Sequence, residues 1–326
     1  MSMKKHKTAL LGILFLTLTV SFLSGVFLLD EFGEKKTVKI VFIPKVQDKT
    51  NDFWMSMISG AKSAGKEYQA NLVILAPDEE NDYETQKKYI EEAVKMKPDA
   101  IALSPIRYSE MTDCVKQVTD AGIKLILIDS KLDQNLEESC IGTDNRNAGV
   151  QMGQKMREYV GSDTKIAVVS YVKGSSTAME REEGLREGLS EDESKIKMVL
   201  YSNSDYNQAY EETRELMRTN PDITLIAGLN LYSTVGVARA IREMNLSRKV
   251  HVVGFDNDIE GIQYLEEGII DTLIVQKPFN MGYIGIQTAV ESVRGKKPDK
   301  NIYCDIEVIT ADNIYTDENQ KLLFPF

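Results

Sequence analysis

The most restrictive feature of this chain is a strand that stops on a carboxylate. Val250-His251-Val252-Val253-Gly254-Phe255-Asp256-Asn257 is apolar and β-branched, and it closes on an aromatic ring, an acid and an amide. That is the pattern of a strand buried on both faces of a parallel sheet. Open α/β sheets bind ligands beyond the carboxyl ends of their strands, which puts Phe255 and Asp256 at the rim of a crevice. A strand of the same form, Lys124-Leu125-Ile126-Leu127-Ile128-Asp129-Ser130, lies in the first half of the chain. One strand-terminal aspartate in each half predicts two similar lobes facing each other.

The surrounding pattern agrees with an α/β fold. Strands at 38–44, 72–76, 100–104 and 125–129 alternate with helices at 52–69, 83–96 and 109–121. After an irregular stretch that runs through Ile141–Asn145, the alternation restarts. Helices are predicted at 147–159, 176–189, 207–219, 233–244, 259–267 and 281–293, and strands at 165–171, 197–202, 223–228, 250–255, 272–276 and 305–309. Strands and helices alternating at these lengths imply parallel sheets covered by helices on both faces. A chain of 326 residues is long enough for two such domains.

The N-terminus carries a different signal. Lys4-Lys5-His6-Lys7 precedes Ala9–Leu29, which holds no charged residue. As a helix this run would be about 32 Å long, close to the hydrocarbon thickness of a bilayer. The preceding lysines and the following Asp30-Glu31 orient the N-terminus into the cytoplasm and the body outside. Residues 1–29 are therefore expected to be a signal-anchor or transmembrane segment and 30–37 a charged linker. A cleaved signal, with the body released, would have a shorter apolar core and a small-residue cleavage site, for which Ser21–Gly25 is the one candidate. The net charge of the whole chain is −11, and residues 1–29 contribute only positive charge. An acidic body excludes nucleic acid as a partner.

The motifs exclude several chemistries. No G-x-G-x-x-G follows a strand and no Walker loop, H-E-x-x-H or G-x-S-x-G occurs, so no phosphate cradle, metal site, cofactor or nucleophile elbow is expected. Cys114, Cys140 and Cys304 lack metal or redox spacing and are read as buried thiols, with one disulfide left open. His251, at a strand start, is read as structural. The acidic pairs Glu79-Glu80 and Glu266-Glu267 are read as solvated surface. What remains is a set of polar and aromatic residues at strand ends: Asn51, Phe53 and Trp54, then Ser104, Asp129, Asn230, Phe255, Asp256 and Gln276. Carboxylates and amides engage neighbouring hydroxyls, and aromatic faces cover the C–H side of a sugar ring. Each residue also has a plain structural reading, since Asn and Asp cap helices and Phe53 and Trp54 could belong to the core.

On Asn51-Asp52-Phe53-Trp54, Leu127-Ile128-Asp129, Gly142-Thr143-Asp144-Asn145, Asn220-Pro221-Asp222, Val252-Val253-Gly254-Phe255-Asp256 and Val275-Gln276, the chain resembles the type I periplasmic binding proteins, close to their ribose- and galactose-binding group. The likeness runs from about Val38 to Ile309. It implies two Rossmann-like lobes, 38–142 plus 278–304 and 143–277 plus 305–326, joined by three crossings near residues 143, 277 and 304. It also implies the nine strand-end residues as ligand contacts, with Thr143 and Asp144 at the first crossing. Two positions depart from the ribose-binding pattern. Ser130 stands where that pattern has an arginine, and Met179 stands where it has another, with Arg181 two residues on. Ser130, Thr143, Met179 and Arg181 are thus secondary candidates, and a less cationic pocket for a sugar other than ribose is expected.

The function expected is non-catalytic capture of a small sugar-like solute outside the cell for an ABC-type importer. The alternative is presentation of the bound sugar to a membrane sensor such as a histidine kinase, which a short anchored linker would suit. A repressor of the lac type shares the fold but needs an N-terminal helix-turn-helix, and this chain has an apolar run there. An enzyme lacks its base, nucleophile and metal cluster.

Overall fold

Apolar residues on both faces of short strands leave a sheet no option but to be covered on both sides, and the chain does this twice. The computed structural model describes residues 37–324. The anchor assigned to 1–29 and nearly all of the linker assigned to 30–37 lie outside them. Among the described residues, no helix is long and apolar enough to cross a membrane. The chain divides after Thr37, and two lobes are built from Val38 onward.

The first sheet uses β1 (Lys39–Ile43), β2 (Asn71–Ile74), β3 (Ala100–Leu103), β4 (Lys124–Ile128), β5 (Ser139–Gly142) and β11 (Asn301–Tyr303) in the order β2-β1-β3-β4-β5-β11. All its pairs are parallel. The second sheet uses β6 (Ile166–Ser170), β7 (Ile196–Tyr201), β8 (Leu225–Gly228), β9 (His251–Phe255), β10 (Thr272–Val275) and β12 (Glu307–Ile309) in the order β7-β6-β8-β9-β10-β12. It is parallel except for β12, which runs antiparallel to β10. The two orders are the same, so each lobe has its switch point beside its first strand, where a crevice opens.

The covering helices are α1 (Asp52–Glu67), α2 (Tyr83–Lys95), α3 (Thr112–Asp120), α4 (Asn145–Arg157), α5 (Ser176–Leu189), α6 (Tyr206–Thr219), α7 (Leu231–Glu243), α8 (Ile259–Glu266), α9 (Pro278–Val293) and α10 (Asp317–Leu323). The chain changes sheet three times, after Gly142, Val275 and Tyr303. Helix α9 packs on α1 and β4, so it returns to the first lobe. Its proline start supplies a preset φ where no amide donor is needed, which is why it begins three residues before the apolar periodicity does.

Four elements differ from the sequence reading. The stretch taken as irregular contains β5, whose four residues are all buried; two of them, Ser139 and Gly142, carry no apolar signal. Strand β11 has three half-exposed or exposed residues and helix α10 only two buried ones, so neither has a periodic apolar face. A 3-10 turn at Ser190–Lys195 follows α5 with no buried residue. The three cysteines are buried and free, and burial raises the Cys140 thiol to about 12. His251 stacks on Tyr159, and its Nδ1 lies 3.0 Å from an Asp271 carboxylate oxygen.

Helices α4 and α5 cross with backbones nearly touching. A Cβ on Gly184 would overlap the Arg146 carbonyl oxygen, and one on Gly149 the Arg181 carbonyl oxygen. Gly184→Ala is expected to lower stability by about 1–3 kcal/mol, the usual effect of overpacking. Gly161→Ala, whose added carbon meets only Thr164 Oγ1 at 3.8 Å, is expected to stay within about 0.5 kcal/mol of the parent. Urea unfolding midpoints at constant slope test the contrast; equal midpoints would show that the crossing is not tight.

Candidate functional site: the cleft between the two sheets

Strands β4 and β9 occupy equivalent places in their sheets, and each is followed by an aspartate in left-handed backbone. Asp129 has φ 71° and Asp256 φ 65°. The Asp129 amide donates to the Ile141 carbonyl at 2.7 Å and the Asp256 amide to that of Ile274 at 2.9 Å. Each bond ties the turn to the next strand. Aspartate tolerates this conformation better than most side chains. Both carboxylates line one cavity between the two sheet ends, which encloses about 290 Å³ with its open mouth counted.

The first lobe supplies Lys45 after β1, Asn51, Phe53 and Trp54 at the start of α1, and Glu80 in the loop after β2. Lys45 Nζ lies 2.9 Å from Asp129 Oδ2, with both side chains almost fully buried, and 5.7 Å from the centre of the Trp54 ring. Ser130 Oγ donates to the same Asp129 oxygen at 2.6 Å. Trp54 Nε1 donates to Glu80 Oε2 at 2.9 Å. Asn51 caps α1 through its side-chain oxygen, so its cap and cavity roles use different atoms of one amide.

The second lobe supplies Tyr171 after β6, Thr177 and Arg181 of α5, Asn230, Leu231 and Tyr232 at the start of α7, Asp256, and Gln276 after β10. Arg181 is fixed on three sides. Its Nε donates to Asn145 Oδ1 at 2.8 Å, its Nη1 to the Leu229 carbonyl at 2.8 Å, and its guanidinium lies 4.2 Å from the centre of the Phe255 ring. Gln276 Nε2 donates to Asp256 Oδ1 at 2.8 Å, while its Oε1 is buried with no partner among the described residues. Asn230 caps α7 through Oδ1 and donates from Nδ2 to Ser204 at 3.2 Å. At the rim the lobes meet. Tyr232 donates to Asp48 at 2.9 Å, and Lys131 pairs with Glu180 at 2.9 Å.

The structure therefore gathers Asn51, Phe53, Trp54, Asp129, Asn230, Asp256, Gln276 and Arg181 around one space. Ser104 and Phe255 are buried but do not line it. The Phe255 side chain faces the core between the second sheet and α5, opposite to Asp256 because neighbours at a strand end alternate. Thr143 is buried at the first crossing with its hydroxyl unpartnered among the described residues. Met179 is 43% exposed.

Two expectations are corrected. The pocket is not poor in cations, because a two-residue step along α5 turns Met179 outward and Arg181 inward, and because Lys45 joins it. Glu80 is not solvated surface; it is 6% exposed and lines the cavity, whereas Glu79, Glu266 and Glu267 are exposed. Lys45 and Glu80 were missed because loop charges were read as solvated, and Tyr171 because it was read as the last residue of a strand that in fact ends at Ser170. All three stand in loops that leave carboxyl ends of strands, so the same positional rule locates them.

Burial pushes the Asp256 carboxyl above the usual carboxylate range, against the pull of Arg181 and of the Gln276 hydrogen bond. Burial likewise raises Glu80, opposed first by Lys45. A carboxyl raised on folding binds more protons in the native state than in the unfolded one. It therefore weakens the native state as pH rises from the ordinary carboxylate range through the raised value. Asp256→Asn removes that loss. Without ligand, its melting temperature is expected to match or exceed the parent's at pH 7.5, with the difference vanishing toward pH 4. A variant several degrees less stable at pH 7.5 would contradict this.

Residues 40–297 match the family model described as a periplasmic binding protein domain. A D-ribose/D-allose-binding protein of Pseudomonas aeruginosa is 24% identical over 315 residues, covering 93% of this chain and 97% of that protein. The crystal structure of a sugar transporter from Clostridium phytofermentans is 43% identical with a TM-score of 0.80, covering 84% of this chain and 99% of that one. A carbohydrate transporter solute-binding protein from Agrobacterium radiobacter in complex with D-arabinose is 27% identical with a TM-score of 0.84, over 89% of this chain and 100% of that one. With two like-ordered sheets, three crossings and a cavity at the strand ends, matched by that model over most of its length, the chain belongs to the periplasmic binding protein domain family.

Proposed function

We propose that this protein captures a monosaccharide-sized sugar outside the cytoplasm and delivers it to an ABC-type importer, without turning it over. The observation that carries this reading is the cavity between the two sheets, whose polar groups come from both lobes and include one buried oxygen, Gln276 Oε1, without a partner among the described residues. Asp129 and Asp256 offer acceptors from opposite walls, Gln276 Oε1 a further one, and the Phe53 and Trp54 rings an apolar wall. Burying a hydroxyl-rich guest is favourable only when its hydroxyls are paired. The similar solute-binding protein solved with D-arabinose has the same architecture, and a relative matched along nearly its whole length is named as binding ribose and allose.

In this reading the lobes are 38–142 with 278–304 and 143–277 with 305–326, and they close by bending at the three crossings. The contacts of Tyr232 with Asp48 and of Lys131 with Glu180 hold the closed form. The N-terminal segment keeps the body beside the membrane on its outer side, where an importer receives it. Similar proteins carry import or transporter names, and the sensor role weighed from the short linker has no comparable support.

Calorimetric titration with D-ribose, D-allose, D-arabinose and D-fucose tests the reading. At least one sugar is expected to bind. Asp256→Ala is expected to weaken it by about 10–100-fold, the effect of losing charge-assisted hydrogen bonds of roughly 1.5–3 kcal/mol. Binding by none of a broad sugar panel, or unchanged affinity in the variant, would overturn it.

A further inference from the structure

The cavity contains one more carboxylate than its cations balance. Glu80, Asp129 and Asp256 face Lys45 and Arg181. Both cations are engaged. Lys45 is paired with Asp129 at 2.9 Å, and Arg181 is held by Asn145, the Leu229 carbonyl and the Phe255 ring. Asp256 draws on the Arg181 charge. Glu80 feels the charge of the same Lys45, but that lysine is in contact with Asp129, and Glu80 forms no ion pair of its own among the described residues. Its partners are neutral donors, the Trp54 indole at 2.9 Å and the Ser204 hydroxyl. They come from opposite lobes, since Trp54 lies in α1 and Ser204 precedes α6.

We infer that Glu80 is a specificity-determining residue: its carboxylate accepts a hydrogen bond from an uncharged sugar and excludes sugars that bear a carboxylate or phosphate. The inference rests on the sugar-binding reading and narrows it to neutral ligands. A neutral sugar offers O–H donors to a carboxylate that has spare acceptor capacity. An anionic sugar would bring a further acid group into a buried cavity whose carboxyls already outnumber its cations, where repulsion is weakly screened. Lys45 is already in an ion pair with Asp129, and the Arg181 guanidinium is already shared with Asn145, the Leu229 carbonyl and the neighbouring Asp256.

Glu80→Gln isolates the charge. The amide keeps the shape, and its oxygen still accepts from the Trp54 indole, so the variant is expected to fold with a free melting temperature no lower than the parent's. The experiment is calorimetric titration of the full chain and the variant. The ligands are the tightest binder among D-ribose, D-allose, D-arabinose and D-fucose, together with D-galacturonate, D-ribonate and D-ribose 5-phosphate. The parent is expected to bind the neutral sugar at least about 100-fold more tightly than any anion. The variant is expected to lose affinity for the neutral sugar and to narrow that preference by about tenfold, as one removed charge at a few ångströms predicts. An anion that binds the parent as well as the neutral sugar does would overturn the inference. So would a folded variant with an unchanged preference, and that result would leave the sugar-binding reading intact. Binding of no sugar by the parent would remove both.

Discussion

Two carboxylates held in left-handed backbone at the ends of equivalent strands fix the geometry on which the rest depends. A side chain in that conformation costs roughly 1–2 kcal/mol relative to the usual regions, and the chain accepts it at Asp129 and Asp256 alike. Each turn is held by an amide bonded to the neighbouring strand, so the sheet determines where the carboxylate stands. The strain is thus supported by the most rigid part of each lobe. The crossings then bring the two sheet ends together, and acceptors from different lobes share one space.

Around that pair, the remaining residues solve an electrostatic problem. Charges taken from water must be paired or hydrogen-bonded. Lys45 pairs with Asp129, Gln276 bonds Asp256, and Arg181 stacks on Phe255 while donating to Asn145 and the Leu229 carbonyl. Compensation stops short of completion. Burial still raises Glu80 and Asp256, and Gln276 keeps an unpartnered oxygen. A site finished without its ligand would have nothing left to offer a hydroxyl. The unfinished polar shell is the binding energy held in reserve, and closure of the lobes allows both walls to use it together. The α4–α5 crossing belongs to the same design, because it sets Arg181 beside Asn145.

The fold was legible in the sequence wherever strands were long, apolar and flanked by helices, and both aspartates could be placed at strand ends from that pattern alone. The short elements were not legible. Strand β5 holds Ser139 and Gly142, and β11 is half exposed, so neither carries a periodic signal; their existence follows from pairing with β4 and with each other. Within the cavity, residues that combine a local and a site role, such as the capping Asn51 and Asn230, could be located but not resolved between the two. Lys45 and Glu80 were invisible for a different reason. Charge in a loop ordinarily means solvent, and only the fold brings these loops under the opposite lobe. Arg181 depended on a two-residue step along α5, a rotation of about half a turn that no single sequence specifies.

The most direct test is a crystal structure of the protein with a bound neutral sugar. The account predicts a closed cleft in which the Asp129 and Asp256 carboxylates both lie within hydrogen-bonding distance of hydroxyls on the same sugar, with Gln276 Oε1 accepting from it. A sugar bound outside that cavity, or contacted by only one of the two aspartates, would contradict it.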